Sequence, residues 1–256
     1  MRKSKILAKV RAGQPAKLAM MGHFLPPFVA YAAKLGFDGI WLDMEHHNFD
    51  DREVQAMLAF FHLYDIDCVV RPPTREKARL YRYLEDGATG FVIPHVNDVE
   101  TARDLVQSVK FPPVGDRGIH GRGLEANFGL DNRDALVANA LEETFILVQI
   151  ETPGALAQAD AMAAIPGVDG LYIGPADLGL RLKLLPEDDR IHVNKAIDQV
   201  SRICRQHGKM WGSLAATEED LLLQRDLGSQ FVVWGVDGRI MLSGLTAAMA
   251  DLDRIF

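Results

Sequence analysis

The feature that most constrains this chain is a rhythm in which short apolar, often β-branched runs alternate with longer segments of helical period. The runs occupy residues 16–22, 39–43, 67–71, 90–94, 145–151, 170–174, 209–214 and 230–235. Helix-period segments fall at 27–35, 52–64, 74–85, 98–109, 134–140, 155–164, 194–207 and 217–227. Runs this apolar suit strands buried on both faces, and parallel strands need a crossover between them, usually a helix. Eight such units in 256 residues predict an α/β fold, a (β/α)8 TIM barrel. It is read as one domain over 1–256, with a short N-terminal helix and a C-terminal helix. An open, doubly wound sheet is the competitor, but no Gly-x-Gly-x-x-Gly follows the first run. Two stretches, 111–133 and 178–190, break the rhythm and read as long connections, which in a barrel rim the mouth.

Charge and composition remove several classes of partner. With 28 Lys+Arg against 35 Asp+Glu the net charge is −7, which argues against a nucleic-acid surface. No stretch approaches the roughly 20 apolar residues of a membrane span. The basic start is followed by a segment too short and too charged for a signal sequence. Cys68 and Cys204 show no ligand spacing, so a reduced, cytoplasmic protein is the natural reading.

Barrel chemistry gathers where strands end, and four runs end in or lead into ionisable groups: Asp43, Arg71, Glu151 and, after Gly174-Pro175-Ala176, Asp177. Each taken alone reads equally as the first solvated residue after a strand. Glu151 and Asp177 follow successive runs, and neighbouring strands lie about 4.8 Å apart, so the two carboxylates fit one hard divalent cation. A pair of helix N-caps is the other reading. Asp43-Met44-Glu45-His46-His47 offers adjacent imidazoles for proton transfer, and spacing does not choose between them. Arg71 suits a carboxylate or a developing enolate oxygen, or an ion pair with Asp43 or Glu45. Trp41, Trp211 and Trp234 read as packing residues, Met20 and Met21 as core. His62, His192 and His207 have no functional partner nearby in sequence.

One set of segments runs along most of the chain: Gly36-Phe37-Asp38 with Leu42-Asp43-Met44-Glu45-His46, Val70-Arg71-Pro72, and Gly87-Ala88 with Val92-Ile93-Pro94. It continues through Val148-Gln149-Ile150-Glu151-Thr152, Val168-Asp169-Gly170, Ile173-Gly174-Pro175-Ala176-Asp177-Leu178 and Gly235-Val236-Asp237. In combination these resemble the metal-dependent class II pyruvate aldolases of the HpcH/HpaI aldolase/citrate lyase family. The likeness is greatest to the 4-hydroxy-2-oxoheptanedioate and 2-keto-3-deoxy sugar acid aldolases.

The resemblance implies reversible cleavage of a 4-hydroxy-2-oxo acid to pyruvate and an aldehyde through a metal-bound pyruvate enolate. By position it implies Glu151 and Asp177 as ligands of a divalent metal, Mg or Mn first and Co as a further candidate. It makes His46 the base and Arg71 the stabiliser of enolate charge, and gives pyruvate recognition to Gln149 and the backbone at Ala176 and Asp177. An acidic partner for the histidine falls on Glu85, where Asp is more familiar, with Asp86 as the alternative. It also implies a homo-oligomer, a hexamer, with sites completed by neighbouring subunits. No run ends in a lysine, which favours the metal route over a Schiff base. The chain departs from the family at His47-Asn48-Phe49 and across 117–129, with its His120 and Arg122, so the identity of the aldehyde does not carry over. The competing functions are oxaloacetate decarboxylation or acyl-CoA lysis through the same enolate, and, more remotely, non-catalytic binding of a sugar acid.

Overall fold

A computed structural model describes residues 2–256. Its strands are β1 (Ala16–Met21), β2 (Gly39–Asp43), β3 (Asp67–Arg71), β4 (Gly90–Ile93), β5 (Phe145–Ile150), β6 (Gly170–Ile173), β7 (Met210–Leu214) and β8 (Phe231–Val236). They pair in parallel in chain order and close β8 onto β1, which makes a (β/α)8 barrel. The helices are α1 (Lys5–Arg11), α2 (Pro26–Leu35), α3 (Asp51–Leu63), α4 (Lys77–Glu85), α5 (Val99–Val109) and α6 (Arg133–Glu143). They continue as α7 (Pro153–Ala157), α8 (Ala159–Ala163), α9 (Pro175–Lys183), α10 (Val193–His207), α11 (Glu218–Asp226) and α12 (Asp237–Ile255).

The alternation of each strand divides its side chains between two apolar layers. Leu18, Trp41, Val69, Val92, Leu147, Tyr172 and Phe231 fill the barrel, while Ile40, Cys68, Phe91, Val148 and Leu171 face the helices. Helix α1 plugs the end of the barrel where the strands begin. Its Ile6 is fully buried, and Gly39 leaves room for it, since a Cβ there would lie 2.7 Å from Ile6 Cδ1. The buried Asp67 carboxylate ties this plug down by accepting from Ser4 Oγ at 2.7 Å and Ile6 N at 2.9 Å.

Four local expectations are corrected. Residues 178–190 are not simply a connection, because α9 starts directly after β6; Pro175 pre-sets the helical φ at its first turn. The segment 155–164 is two short helices that meet at Gln158. Helix α4 begins at Lys77 rather than residue 74, because Thr74 Oγ1 accepts from the Glu76 N–H at 3.1 Å in a local turn and Glu76 is the extended N-cap. Trp234 is not packed: it stands on the outer face of β8 and is 41% exposed.

That exposure has a cause in α12. An eighth helix ordinarily covers the outer face of the last strand. Here only Asp237 of α12 is buried, whereas Ile240, Met241, Leu242, Leu245, Met249, Leu252 and Ile255 are 41–70% exposed. The helix leaves the barrel, and both its apolar side chains and the outer face of β8 are uncovered.

Candidate active site

The ends of β2 and β3 are in register, which sets Asp43 opposite Arg71. Arg71 Nε and Nη2 donate to the two oxygens of Asp43, each at 2.7 Å. Its Nη1 lies 3.1 Å from Glu45 Oε2, and the guanidinium sits 4.7 Å over the Trp41 ring. The ion-pair reading of Arg71 is therefore observed, and with both Asp43 and Glu45. Burial pushes the Asp43 carboxyl up, but the hydrogen bonds and charge of Arg71 outweigh it and hold the group below its ordinary value. Arg71 is correspondingly a fixed cation, its burial more than offset by Asp43.

Two strands further round, Gln149 and Glu151 share one face by the period of two. Both are 2% exposed, and Gln149 Nε2 donates to Glu151 Oε2. Glu151 Oε1 accepts from the backbone N–H of His95 at 2.7 Å. The His95 ring bridges two carboxylates, with Nδ1 3.1 Å from Glu151 Oε1 and Nε2 3.0 Å from Glu45 Oε1. Its backbone is left-handed, at φ 58°, which aims the ring back over the mouth. Nothing in the sequence reading pointed to His95, although it follows run 90–94 as Asp177 follows its own run.

Asp177 sits in the first turn of α9, and its Oδ1 lies 2.9 Å from Arg181 Nη1. The same Nη1 donates to the Glu151 carbonyl at 3.1 Å, so one guanidinium joins the two elements. The N-cap alternative fails for both acids. Thr152 caps α7, and Gly174 precedes α9 with no side-chain cap. As first-turn residues, Ala176 and Asp177 present backbone N–H groups with no intrahelical partner.

His46 and Glu85 are not brought together within the chain. The His46 side chain is 60% exposed, and Nε2 has Glu45 Oε2 at 3.9 Å. Glu85 ends α4, and a helix running antiparallel to its strands returns its last residue to the opposite end of the barrel. There it lines a cavity of about 860 Å³ with Arg82, His120 and Arg122. Burial raises its carboxyl above the ordinary range, against the lowering charges of Arg117 and His120. The alternative, Asp86, is taken up by Gln55, whose Nε2 donates to it at 2.9 Å. The second imidazole, His47, has its Nδ1 3.2 Å from Asp43 Oδ2.

Three polar atoms of the barrel interior, Trp41 Nε1, Gln149 Oε1 and Tyr172 Oη, are buried without a hydrogen-bond partner among the described residues. Buried groups of this kind are ordinarily satisfied by water or ligand. No cage of three or more acidic, histidine or cysteine ligands occurs among the described residues. The donor set nevertheless fits a hard divalent cation held by two carboxylates, with its other positions open to water and substrate. Gly174 keeps that space clear, since a Cβ there would lie 3.2 Å from both Gln149 Nε2 and Glu151 Cβ.

Comparison with known proteins gives this geometry its relatives. A model of the HpcH/HpaI aldolase/citrate lyase family matches residues 23–243. A hydroxypyruvate/pyruvate aldolase of Deinococcus radiodurans is 34% identical over 245 residues, 94% of this chain and 88% of the relative. A 4-hydroxy-2-oxo-heptane-1,7-dioate aldolase of Escherichia coli is 30% identical over 247 residues, 95% of this chain and 92% of the relative. Among solved structures, an HpcH/HpaI aldolase from Desulfitobacterium hafniense superposes with a TM-score of 0.87 at 29% identity, covering 97% of this chain and 96% of that one. The likeness thus spans the barrel, the strand ends and the loops that carry Asp43, Arg71, Glu151 and Asp177, and the chain belongs to the HpcH/HpaI aldolase/citrate lyase family.

Proposed function

We propose that this protein is a metal-dependent class II pyruvate aldolase that reversibly cleaves a 4-hydroxy-2-oxo acid to pyruvate and an aldehyde. The observation that carries the reading is a fixed cation, Arg71, at the same barrel mouth as two carboxylates on successive units, Glu151 and Asp177. The family and the names of the aligned aldolases support it. Glu151 and Asp177 would hold the divalent cation, Mg or Mn first and Co as a further candidate, and when bound it supplies Lewis acidity at the keto oxygen. Gln149 and the N–H groups of Ala176 and Asp177 orient the 2-oxo acid. His46 removes the C4 hydroxyl proton, the C3–C4 pair becomes the enolate, and Arg71 stabilises the charge that develops on its oxygen. A proton at C3 completes pyruvate.

The protein works as a homo-oligomer in this reading, a hexamer by family resemblance. The open His46 then meets its acidic partner, Glu85, on a neighbouring copy. Two features support an assembly: α12 projects with its apolar side chains exposed, and the outer face of β8 lies open where an eighth helix belongs. Exposed apolar patches of this kind mark interfaces. Light scattering should therefore give a multiple of 28.3 kDa. Replacing Leu245 and Met249 with aspartate should lower the assembly state; an unchanged mass would separate α12 from assembly. We place the enzyme in the cytoplasm, which suits its two buried free thiols.

The deciding experiment is pyruvate release from a panel of 4-hydroxy-2-oxo acids, with metal-stripped enzyme and after Mg or Mn is restored. Metal-dependent release is expected. Release from oxaloacetate alone would make the protein a decarboxylase, and release from none of them would favour thioester cleavage or binding.

A further inference from the structure

Besides His95, which bridges Glu45 and Glu151, two further imidazoles at this mouth are unused by the reaction above. His47 reaches Asp43, which is fully buried, through Nδ1. His23 follows β1, and its Nδ1 lies 2.9 Å from Oδ2 of Asp237, itself 1% exposed. The same Asp237 oxygen accepts the N–H groups of Gly22 at 2.9 Å and His23 at 3.0 Å, so it fixes both the turn and the ring. The His23 and His47 rings meet edge to face, with centroids 5.5 Å apart.

Each aspartate engages Nδ1, which leaves Nε2 as the working nitrogen. That is the arrangement of an acid–base group. Asp43 is shared, because its Oδ2 also takes Arg71 Nη2 at 2.7 Å, so His47 sits one carboxylate away from the guanidinium assigned to the enolate oxygen. Exposure rises from 32% at the His47 side chain to 52% at His23, a short path from the mouth to water. Gly22 makes the path possible: a Cβ at that position would come within 2.6 Å of three atoms of the His47 ring.

We propose that His47 carries the proton to and from C3 of the pyruvate unit, and that His23, held by Asp237, passes it between His47 and solvent. The assignment rests on the aldolase reading, because that reaction makes an enolate that must be protonated at carbon. In cleavage, protonated His47 gives its Nε2 proton to C3. The enolate pair forms the new C–H bond and the keto group is restored. Neutral His47 is reloaded through His23 from water, while the proton that His46 takes from the C4 hydroxyl is released, so one proton enters and one leaves. His47 is then a catalytic residue, and His23 a relay that acts through it.

Exchange of the pyruvate methyl protons in D2O, followed by NMR on the metal-loaded enzyme without aldehyde, reads this proton alone. His47→Gln should slow exchange by roughly a hundredfold or more, the usual scale of a lost acid–base group. His23→Gln keeps both backbone bonds to Asp237 and should slow it by about tenfold, with imidazole in the buffer restoring most of the loss. Gly22→Ala keeps both imidazoles but displaces the His47 ring, and should also slow exchange. Pyruvate affinity should hold in all three variants. Exchange at the parental rate in His47→Gln would overturn the assignment, and a His23→Gln loss that imidazole does not restore would reduce His23 to a structural role. If the parent cleaves a hydroxy-oxo acid while the variants exchange normally, this assignment alone fails; if the parent neither exchanges pyruvate nor cleaves, the aldolase reading fails and takes it along.

Discussion

Alanine in place of His46 is expected to lower aldol cleavage by about 10²- to 10⁴-fold, the range for removing a positioned general base. Mn²⁺ affinity should stay within about twofold of the parent, since in the positions argued above His46 is not a ligand and such second-site losses of affinity reach tenfold only for groups bonded to a ligand. His46 is 60% exposed, and Glu45 Oε2 stands 3.9 Å from its Nε2. Truncating such a side chain opens no cavity and leaves no buried charge unpaired, so stability should change by less than about 0.5 kcal/mol. Loss of cleavage with metal binding and melting temperature intact is thus a chemical loss. The measurement is kcat/KM for pyruvate release, beside a Mn²⁺ titration and a melting curve. Undiminished cleavage would remove His46 from the mechanism and leave His47, the imidazole bonded to Asp43, as the remaining base on that loop.

The contrast between what the sequence makes legible and what it hides has a physical pattern. Parallel strands buried on both faces leave continuous apolar runs, and the predicted runs agree with the eight strands to within a residue or so at each end. A polar group directly after such a run stands out, which is why Asp43, Arg71, Glu151 and Asp177 are readable from spacing. Partnership across the barrel is not. His95 meets Glu151 from 56 residues away, and His23 meets Asp237 from 214, and no local pattern records either contact. Glu85 is a related case: the motif gives its position along the chain, while the direction of α4 sets it at the far end of the barrel from the His46 of the same copy. In α12 the apolar spacing is plain, yet within one copy those side chains stay uncovered, which no local pattern foretells.

Glutamine at position 151 should weaken divalent metal binding by roughly a hundredfold or more, because even groups outside the ligand shell are worth tenfold to a hundredfold and, in the proposed reading, this change removes a charged ligand. The substitution is nearly isosteric. The carboxamide oxygen can still accept from the His95 N–H, and its NH2 then faces Gln149, whose amide needs only to flip to present Oε1, an acceptor without a partner among the described residues of the parent. It also removes a carboxylate that is 2% exposed, so the metal-free protein should melt no lower than the parent. Metal should then separate the two. At a metal concentration a hundred times its Kd the parent gains about 2.7 kcal/mol of stability, whereas a variant with a hundredfold weaker site gains about 0.4 kcal/mol at the same concentration. Melting curves with and without Mn²⁺ read this difference without any substrate. A variant that still shifts with Mn²⁺ as the parent does would remove Glu151 from the ligand set. A metal shift that vanishes while the metal-free melting temperature holds would leave Glu151 the role that its burial and its link through Arg181 to Asp177 support, that of a charged ligand and not a structural acid.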